Sequence, residues 1–353
     1  MARDVQNISL KFPANGINVV ASRISQPDGT CVDCQNVRLF DVLESRARGG
    51  IRPGLSKFLS SQINGDIRIQ DLNYTTVISA TNPSTLSLGV RTVTAVAVSG
   101  GAIYTFADSG TSAATASGSR TLSATAPFIL SAELFGKVYF TDGISYKVWT
   151  GSTNAATDWT PTAGSLPGTD GSSVPRLIEM WRSRIVLSGL RTDPHNWFMS
   201  KLGDPLDWDY APAVVTEIQA VTGGTGVVGK VGDVVNCLIP YSDDVLIIGC
   251  DHSIYQMNGD PQASNGRIDL LSDTVGMAFG RPYCRDASGM IYFFSSRGHV
   301  YSLAGGGGEP EPLTNNVIAP LLVDTDLNRT FVRMAWDETQ QGFYLFITPF
   351  VSA

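Results

Sequence analysis

Apolar runs a few residues long recur along this chain, each cut off by Gly, Asn or Asp, while helical periodicity is almost absent. Residues 128–149, FILSAELFGKVYFTDGISYKVW, hold three such runs, separated at Gly136-Lys137 and Asp142-Gly143. Asp-Gly between β-favouring runs predicts a hairpin, because the type I′ turn that suits twisted strands needs positive φ. The same order returns in 177–201 (LIEMW, RIVLSGL, NWFMSK), in 235–257 (VNCLIPYS, DVLIIGCD, SIYQM) and in 282–303 (PYCRDASG, MIYFFSSRG, HVYSL). A last unit opens at Phe331 with FVRMAWDE and GFYLFIT, and a weaker early one, TAVAVSG then AIYTFADSG, lies around Ile103.

Aligned on their second strands, the units are anchored at Val138, Ile185, Val245, Ile291 and Phe343, which lie 47, 60, 46 and 52 residues apart. Repeats of about 40 to 50 residues with several strands each read as β-propeller blades. A two-sheet sandwich would leave similar strand signals, and the repeat length favours the propeller. The expectation is an all-β protein, a β-propeller of about six blades of short antiparallel strands over residues 61–353. The last blade shows only two clear strands. Residues 1–60 lack this grammar and are expected to form an extended N-terminal arm that closes the last blade or contacts a partner. The Gly/Ser/Thr/Ala-rich stretch 109–125 is expected to be a long loop.

Composition agrees with many tight turns: 36 Gly and 18 Pro in 353 residues, with 16% charged against about 25% in an ordinary soluble domain. The 43% apolar content is enough for a sizeable core. With 25 basic and 32 acidic residues the net charge is −7. Firm binding of DNA phosphates needs a basic face, so the balance argues against a DNA clamp. It is compatible with DNA passing an acidic wall without sticking. Five cysteines, Cys31, Cys34, Cys237, Cys250 and Cys284, are an odd set without framework spacing. The opening residues lack a signal-peptide core, and nowhere is there an apolar run of about 18 residues. A reducing cytoplasm is the expected place of synthesis.

Most motifs that suggest chemistry lack the context they need. Residues 222–230, TGGTGVVGK, match a phosphate-binding loop, but Val231 stands where the magnesium-binding Ser or Thr belongs, and a strand follows instead of a helix. Cys31 and Cys34 form a single C-x-x-C without further ligands at zinc spacing or a βαβ unit for redox work. His195, His252 and His299 have no nucleophile signature beside them, and the last two recur at equivalent turns. Asp243-Asp244 and Asp207/Asp209 could be drafted as glycosidase carboxylates, which need a fixed separation that only a structure gives, and Asp243-Asp244 sits where a hairpin turn is required. No catalytic residue, cofactor or metal is expected. The most basic stretch carries Arg38, Arg46, Arg48, Arg52 and Lys57 and ends in an Arg-Pro-Gly turn. It reads equally as a solvated loop and as a contact for an acidic partner or DNA phosphate.

Four segments resemble tail nozzle, or DNA-stabilisation, proteins of short-tailed bacteriophages. They are PDGTCVDCQNVRLFDVLESRARGGIRPGL (27–55), NWFMSKLGDPLDWDY (196–210), DDVLIIGCDHSIYQMNGDP (243–261) and RPYCRDASGMIYFFSSRGHVYSL (281–303). The resemblance implies a structural virion protein, a propeller-like subunit of a ring below the portal and adaptor. Such a ring retains the packaged genome and forms the DNA exit channel. Implied with it are a homo-oligomeric ring, six-fold in the family, and portal, adaptor and other tail proteins as partners. DNA would pass without sequence-specific binding. The place would be the virion tail, after assembly in the host bacterial cytoplasm. Arg46, Arg48, Arg52, Pro53 and Gly54 are the expected subunit contacts. The rival reading is a receptor- or carbohydrate-binding propeller that stacks sugars on Trp149, Trp159, Trp181, Trp197 and Trp208. A cellular scaffold propeller is a third.

Overall fold

A computed structural model describes residues 13–35, 37–38, 50–51, 54, 56–65, 67–78, 89, 91–107, 115–116, 122–124, 126–151, 156–168, 173–305, 307–314, 322 and 324–350. Every element bounded among them is a β-strand. Unit 1 is the meander Ile69–Ile78, Arg91–Ser99, Ala102–Ala107, Thr115–Ala116, and unit 2 is Leu130–Leu134, Lys137–Thr141, Tyr146–Trp149, Ala156–Asp158. Unit 3 is Leu177–Trp181, Arg184–Leu190, Asp193–Met199, Val221–Thr222. Unit 4 is Val235–Ser242, Val245–Cys250, Ile254–Asn258, Arg267–Ser272. Unit 5 is Tyr283–Arg285, Ile291–Phe294, Val300–Leu303, Glu311–Pro312. Unit 6 is the hairpin Thr330–Asp337, Gly342–Pro349.

Units 1, 2, 3 and 5 are separate four-stranded antiparallel sheets. Unit 4 continues instead through the short strand Gly280–Arg281 into unit 6, which gives one seven-stranded sheet. Gly280–Arg281 runs parallel to both neighbours, facing Cys237 on one side and Val332 and Arg333 on the other. Gly280 permits this approach: its φ is +102°, and a Cβ there would lie 2.5 Å from the Phe331 ring. The first strands of units 1 and 2, 2 and 3, 3 and 4, and 5 and 6 lie beside one another, and Gly280–Arg281 stands between those of units 4 and 6. The last unit returns to the first, where Arg333 donates to Asp71 at 2.7 Å. The fold is all-β and propeller-like, with the first strands innermost. Four units are complete four-stranded sheets, and the expected number of about six is not reached among the described residues: the sixth unit has two strands there, the two that its sequence shows, and shares its sheet with the fourth.

The anchors Val138, Ile185, Val245, Ile291 and Phe343 all fall in second strands. Ile103 falls in a third strand; the run around 95–99 is the second, and the first strand, Ile69–Ile78, lacks a clear apolar signature. That strand alternates buried Asp71 and Thr75 with exposed Leu72 and Tyr74, because its inward face meets a polar seam. The first break within 128–149 falls one residue earlier than the expected Gly136-Lys137, at Phe135-Gly136, with positive φ at both positions, 54° and 74°. At Asp142-Gly143 the loop is longer, and the Asp142 carboxylate accepts the amides of Ile144 (2.8 Å) and Ser145 (2.6 Å). Of the expected loop 109–125, Thr115–Ala116 is a strand and much of the remainder lies outside the described residues.

Residues 13–31 double back on themselves: Ile17 bridges Cys31, and Asn15 N–H donates to Gly29 O at 2.8 Å. Beyond them, Val37–Arg38 pairs with Gly50–Ile51. The largest apolar cluster joins units 2, 3 and 4 around Trp159, Trp181, Trp197 and Trp208.

Candidate interaction surfaces around the axis

Where the first strands converge they enclose a cavity of about 530 Å³, walled by residues of all six units, among them Tyr74, Glu133, Met180, Pro240, Tyr283 and Met334. Charges cross it. Arg281 donates Nε–H to Glu179 Oε1 at 2.5 Å and a second N–H to the Ser131 carbonyl. Arg333 donates to Asp71 Oδ1 at 2.7 Å and to the Gln70 carbonyl at 2.9 Å. The other Asp71 oxygen accepts the Ser131 hydroxyl. Glu179 borders the cavity and is mostly buried, and its burial raises its pKa despite the opposing pull of Arg281. Burial alone would lower Arg281, but the Glu179 and Asp71 carboxylates outweigh it and hold the guanidinium above its ordinary value. Two cations thus face two anions across the axis. The arrangement ties units 1, 2, 3 and 6 and the connecting strand Gly280–Arg281 together and puts charged side chains across the axis. A buried pair of this kind adds little net stability, but deleting one member strands the other.

One end of the axis is apolar. Phe128 meets Phe279 edge-on at 4.8 Å, and Phe279 meets Phe331 at 6.3 Å. Arg176 lies over the Phe279 ring at 4.8 Å. Arg68 ties the seam between first and last units, donating to Pro349 O at 2.7 Å and to Pro127 O at 2.8 Å.

The strand Gly342–Pro349 pairs only with Thr330–Asp337 among the described residues. No residue in it is buried, and Phe346 is 51% exposed. An open strand edge with apolar side chains is a ready surface for another chain.

The residues singled out from the sequence fall as follows. Arg46, Arg48, Arg52 and Pro53 lie outside the described residues, as do most of 39–53; Gly54 is exposed, with no atom within 4 Å of where a Cβ would stand. The phosphate-loop lookalike is bound up in packing: Lys230 pairs with Asp193 at 2.7 Å, Gly229 O accepts the Trp197 indole N–H at 3.0 Å, and Val231 is buried. Cys31 and Cys34 are half-buried free thiols, and no group of three or more metal-ligating side chains occurs among the described residues. His252 faces Asp251 at 3.3 Å with most of its side chain in solvent. Asp233, which caps the His252 and Ser253 turn, is partly desolvated, yet the hydrogen bonds it accepts hold its pKa below the usual value. Asp243 and Asp244 form a two-residue hairpin turn, as expected, gripped by Arg182 of the preceding unit. Asp207 pairs with Lys201 at 3.1 Å and caps Asp209. The five tryptophans proposed for sugar stacking are between 0 and 4% exposed. Trp159 and Trp208 both donate their indole N–H to Pro205 O, so the Gly-Asp-Pro turn is a clamp for the core.

The axial charges escaped notice in the sequence. For two of them the signal is a charge inside an otherwise apolar stretch of a first strand: Glu179 in LIEMW and Arg333 in FVRMAW. Single-unit reading hides it; alignment of first strands would have exposed it.

No family model matches the chain, and no curated protein matches it. Among solved structures it is similar to YCF48 bound to D1 peptide (9% identity, TM-score 0.38, covering 57% of this chain and 58% of that one). It is similar to PorZ of Porphyromonas gingivalis (15%, 0.40, 79% and 32%) and to the extracellular domain of BT4673 from B. thetaiotaomicron (10%, 0.42, 78% and 32%). The chain spans about a third of the length of the last two. Likenesses at these scores bear on neither fold nor function.

Proposed function

We propose that this chain is a structural, non-catalytic subunit of a bacteriophage tail, one member of the nozzle or hub ring below the portal and adaptor. In this reading the six units close as a six-bladed propeller whose last blade is completed by strands outside the described residues or by a neighbour. The observation that carries it is the uncovered strand Gly342–Pro349. A head-to-tail ring needs a surface on each copy that its neighbour covers, and an open edge with exposed Phe346 and Ile347 meets that need. The segment of Arg46, Arg48, Arg52, Pro53 and Gly54 supplies further contacts. DNA runs between copies rather than through one, because Glu179, Arg281, Asp71 and Arg333 occupy the chain's own axis. A net charge of −7 keeps phosphates from sticking to that passage. The ring holds the genome until ejection and is part of the virion.

Mass photometry and negative-stain imaging of the purified chain, alone and with portal and adaptor, test this. A ring around a hole, at least with the partners present, is expected, and Phe346→Asp should abolish it while leaving the monomer folded. A strict monomer indifferent to those partners would overturn the reading.

A further inference from the structure

At the phenylalanine-lined end of the axis, beside units 2 and 3, lies a hollow of about 810 Å³. Its apolar wall includes Phe128, Ile144, Val174 and Pro194, and its cations are Arg176 and Arg191. A second hollow of about 540 Å³ shares the Phe128 and Arg176 walls. Gly143 makes this wall compact: its φ is +76°, and a Cβ there would lie 3.3 Å from both Arg176 Cγ and Phe128 Cζ.

Arg176 differs from the other inward arginines. Arg182, Arg184, Arg281 and Arg333 each face a carboxylate within 4.0 Å. Arg176 donates Nε–H to Gly189 O at 3.2 Å and stacks on Phe279, but among the described residues no carboxylate reaches it. Burial lowers its pKa without any compensating anion. Asp142, the carboxylate bordering the hollow, is taken up by the amides of Ser123, Ile144 and Ser145 and by the Ser145 hydroxyl. A half-buried guanidinium with free terminal N–H groups beside an apolar wall favours one ligand chemistry: a carboxylate carried next to an apolar group.

We propose that this hollow binds an acidic-apolar peptide segment of a partner protein. The Arg176 fork takes a Glu or Asp side chain, and a neighbouring aromatic or aliphatic residue lies on Phe128, Ile144, Val174 and Pro194. This goes beyond the tail-ring reading and does not depend on it.

Titration calorimetry with acetyl-Phe-Glu-Leu-amide, its Gln counterpart and a DNA duplex tests the site on the full chain. The Glu peptide should bind about tenfold more tightly than the Gln peptide, the loss of one charge-assisted bond. Arg176→Gln should erase that ratio, with near-UV circular dichroism reporting the fold. Ile144→Glu, on an exposed turn, should weaken the Glu peptide without touching Arg176. Equal affinity for the two peptides, no binding, an unchanged ratio in Arg176→Gln, or binding of the duplex alone would overturn the proposal.

Discussion

The strands Arg184–Leu190 and Gly342–Pro349 hold the same place, second in their units, and both are mostly apolar. Every residue of the first is buried, and none of the second is. The first has Leu177–Trp181 on one edge and Asp193–Met199 on the other, with units 2 and 4 against its faces. Even its charged end is enclosed: Arg184 donates to Ser200 O at 2.8 Å and Gln219 O at 2.6 Å and faces Asp260 at 3.3 Å. The second has one paired edge and a single covered face, where Phe343 and Leu345 pack toward unit 5. Strand formation is a local matter of pattern, whereas burial depends on what neighbours supply.

The sharpest way to test this contrast is a pair of truncations. Trp197→Ala, in the closed unit 3, should cost about 4 kcal/mol of unfolding free energy, whereas Phe346→Ala in the open hairpin should cost about 0.5 kcal/mol or less. Denaturant titration of both variants decides it; similar losses would mean that the last hairpin is covered in the isolated chain.

The seam comes next. Arg333→Ala leaves the fully buried Asp71 carboxylate without its cation, and about 3 kcal/mol of stability should go with it. A loss below about 1 kcal/mol would show that first and last units are not locked there.

Acid titration of stability probes the interior pair. Glu179 has a folded pKa raised by burial above its unfolded value. The folded state therefore holds its proton longer as pH rises, and stability declines from about pH 4.3 upward to that raised folded pKa. Glu179→Gln should flatten this decline, seen as thermal midpoints that vary less over that range. An unchanged slope would place the pH dependence elsewhere.

The smallest effect concerns thiols. Burial raises Cys237 and Cys250 and pushes Cys284 up to about 12, and all three are enclosed. A thiol-specific chromogenic reagent should modify Cys31 and Cys34 in the native protein, and the remaining three only after unfolding. Fast reaction at Cys284 would indicate that unit 5 opens readily.

Hairpins and turns were legible because their chemistry is local. Asp243-Asp244 turns where turn residues stand, the turn at Gly136 falls within one residue of its expected place, and five second-strand anchors fall where the repeat puts them. The first strand of unit 1 was not legible, since the pattern that marks it, Asp71 and Thr75 buried and Leu72 and Tyr74 exposed, makes sense only against Arg333, 262 positions from Asp71. For the tryptophans the sequence favoured core or blade-edge places and kept sugar stacking as the rival, because residue type alone does not fix depth; all five are interior. The axial charges were missed for the same reason.

What the chain determines by itself is its all-β character, its repeat and its turns, because strand pairing across tight loops is governed by neighbours in sequence. Tertiary structure alone decided that Glu179, Arg281, Asp71 and Arg333 meet across an axis, how deep the tryptophans lie, and that the last hairpin has one unpaired edge among the described residues. Those outcomes depend on residues hundreds of positions apart coming within hydrogen-bond distance, and on the solvent each group loses when they do.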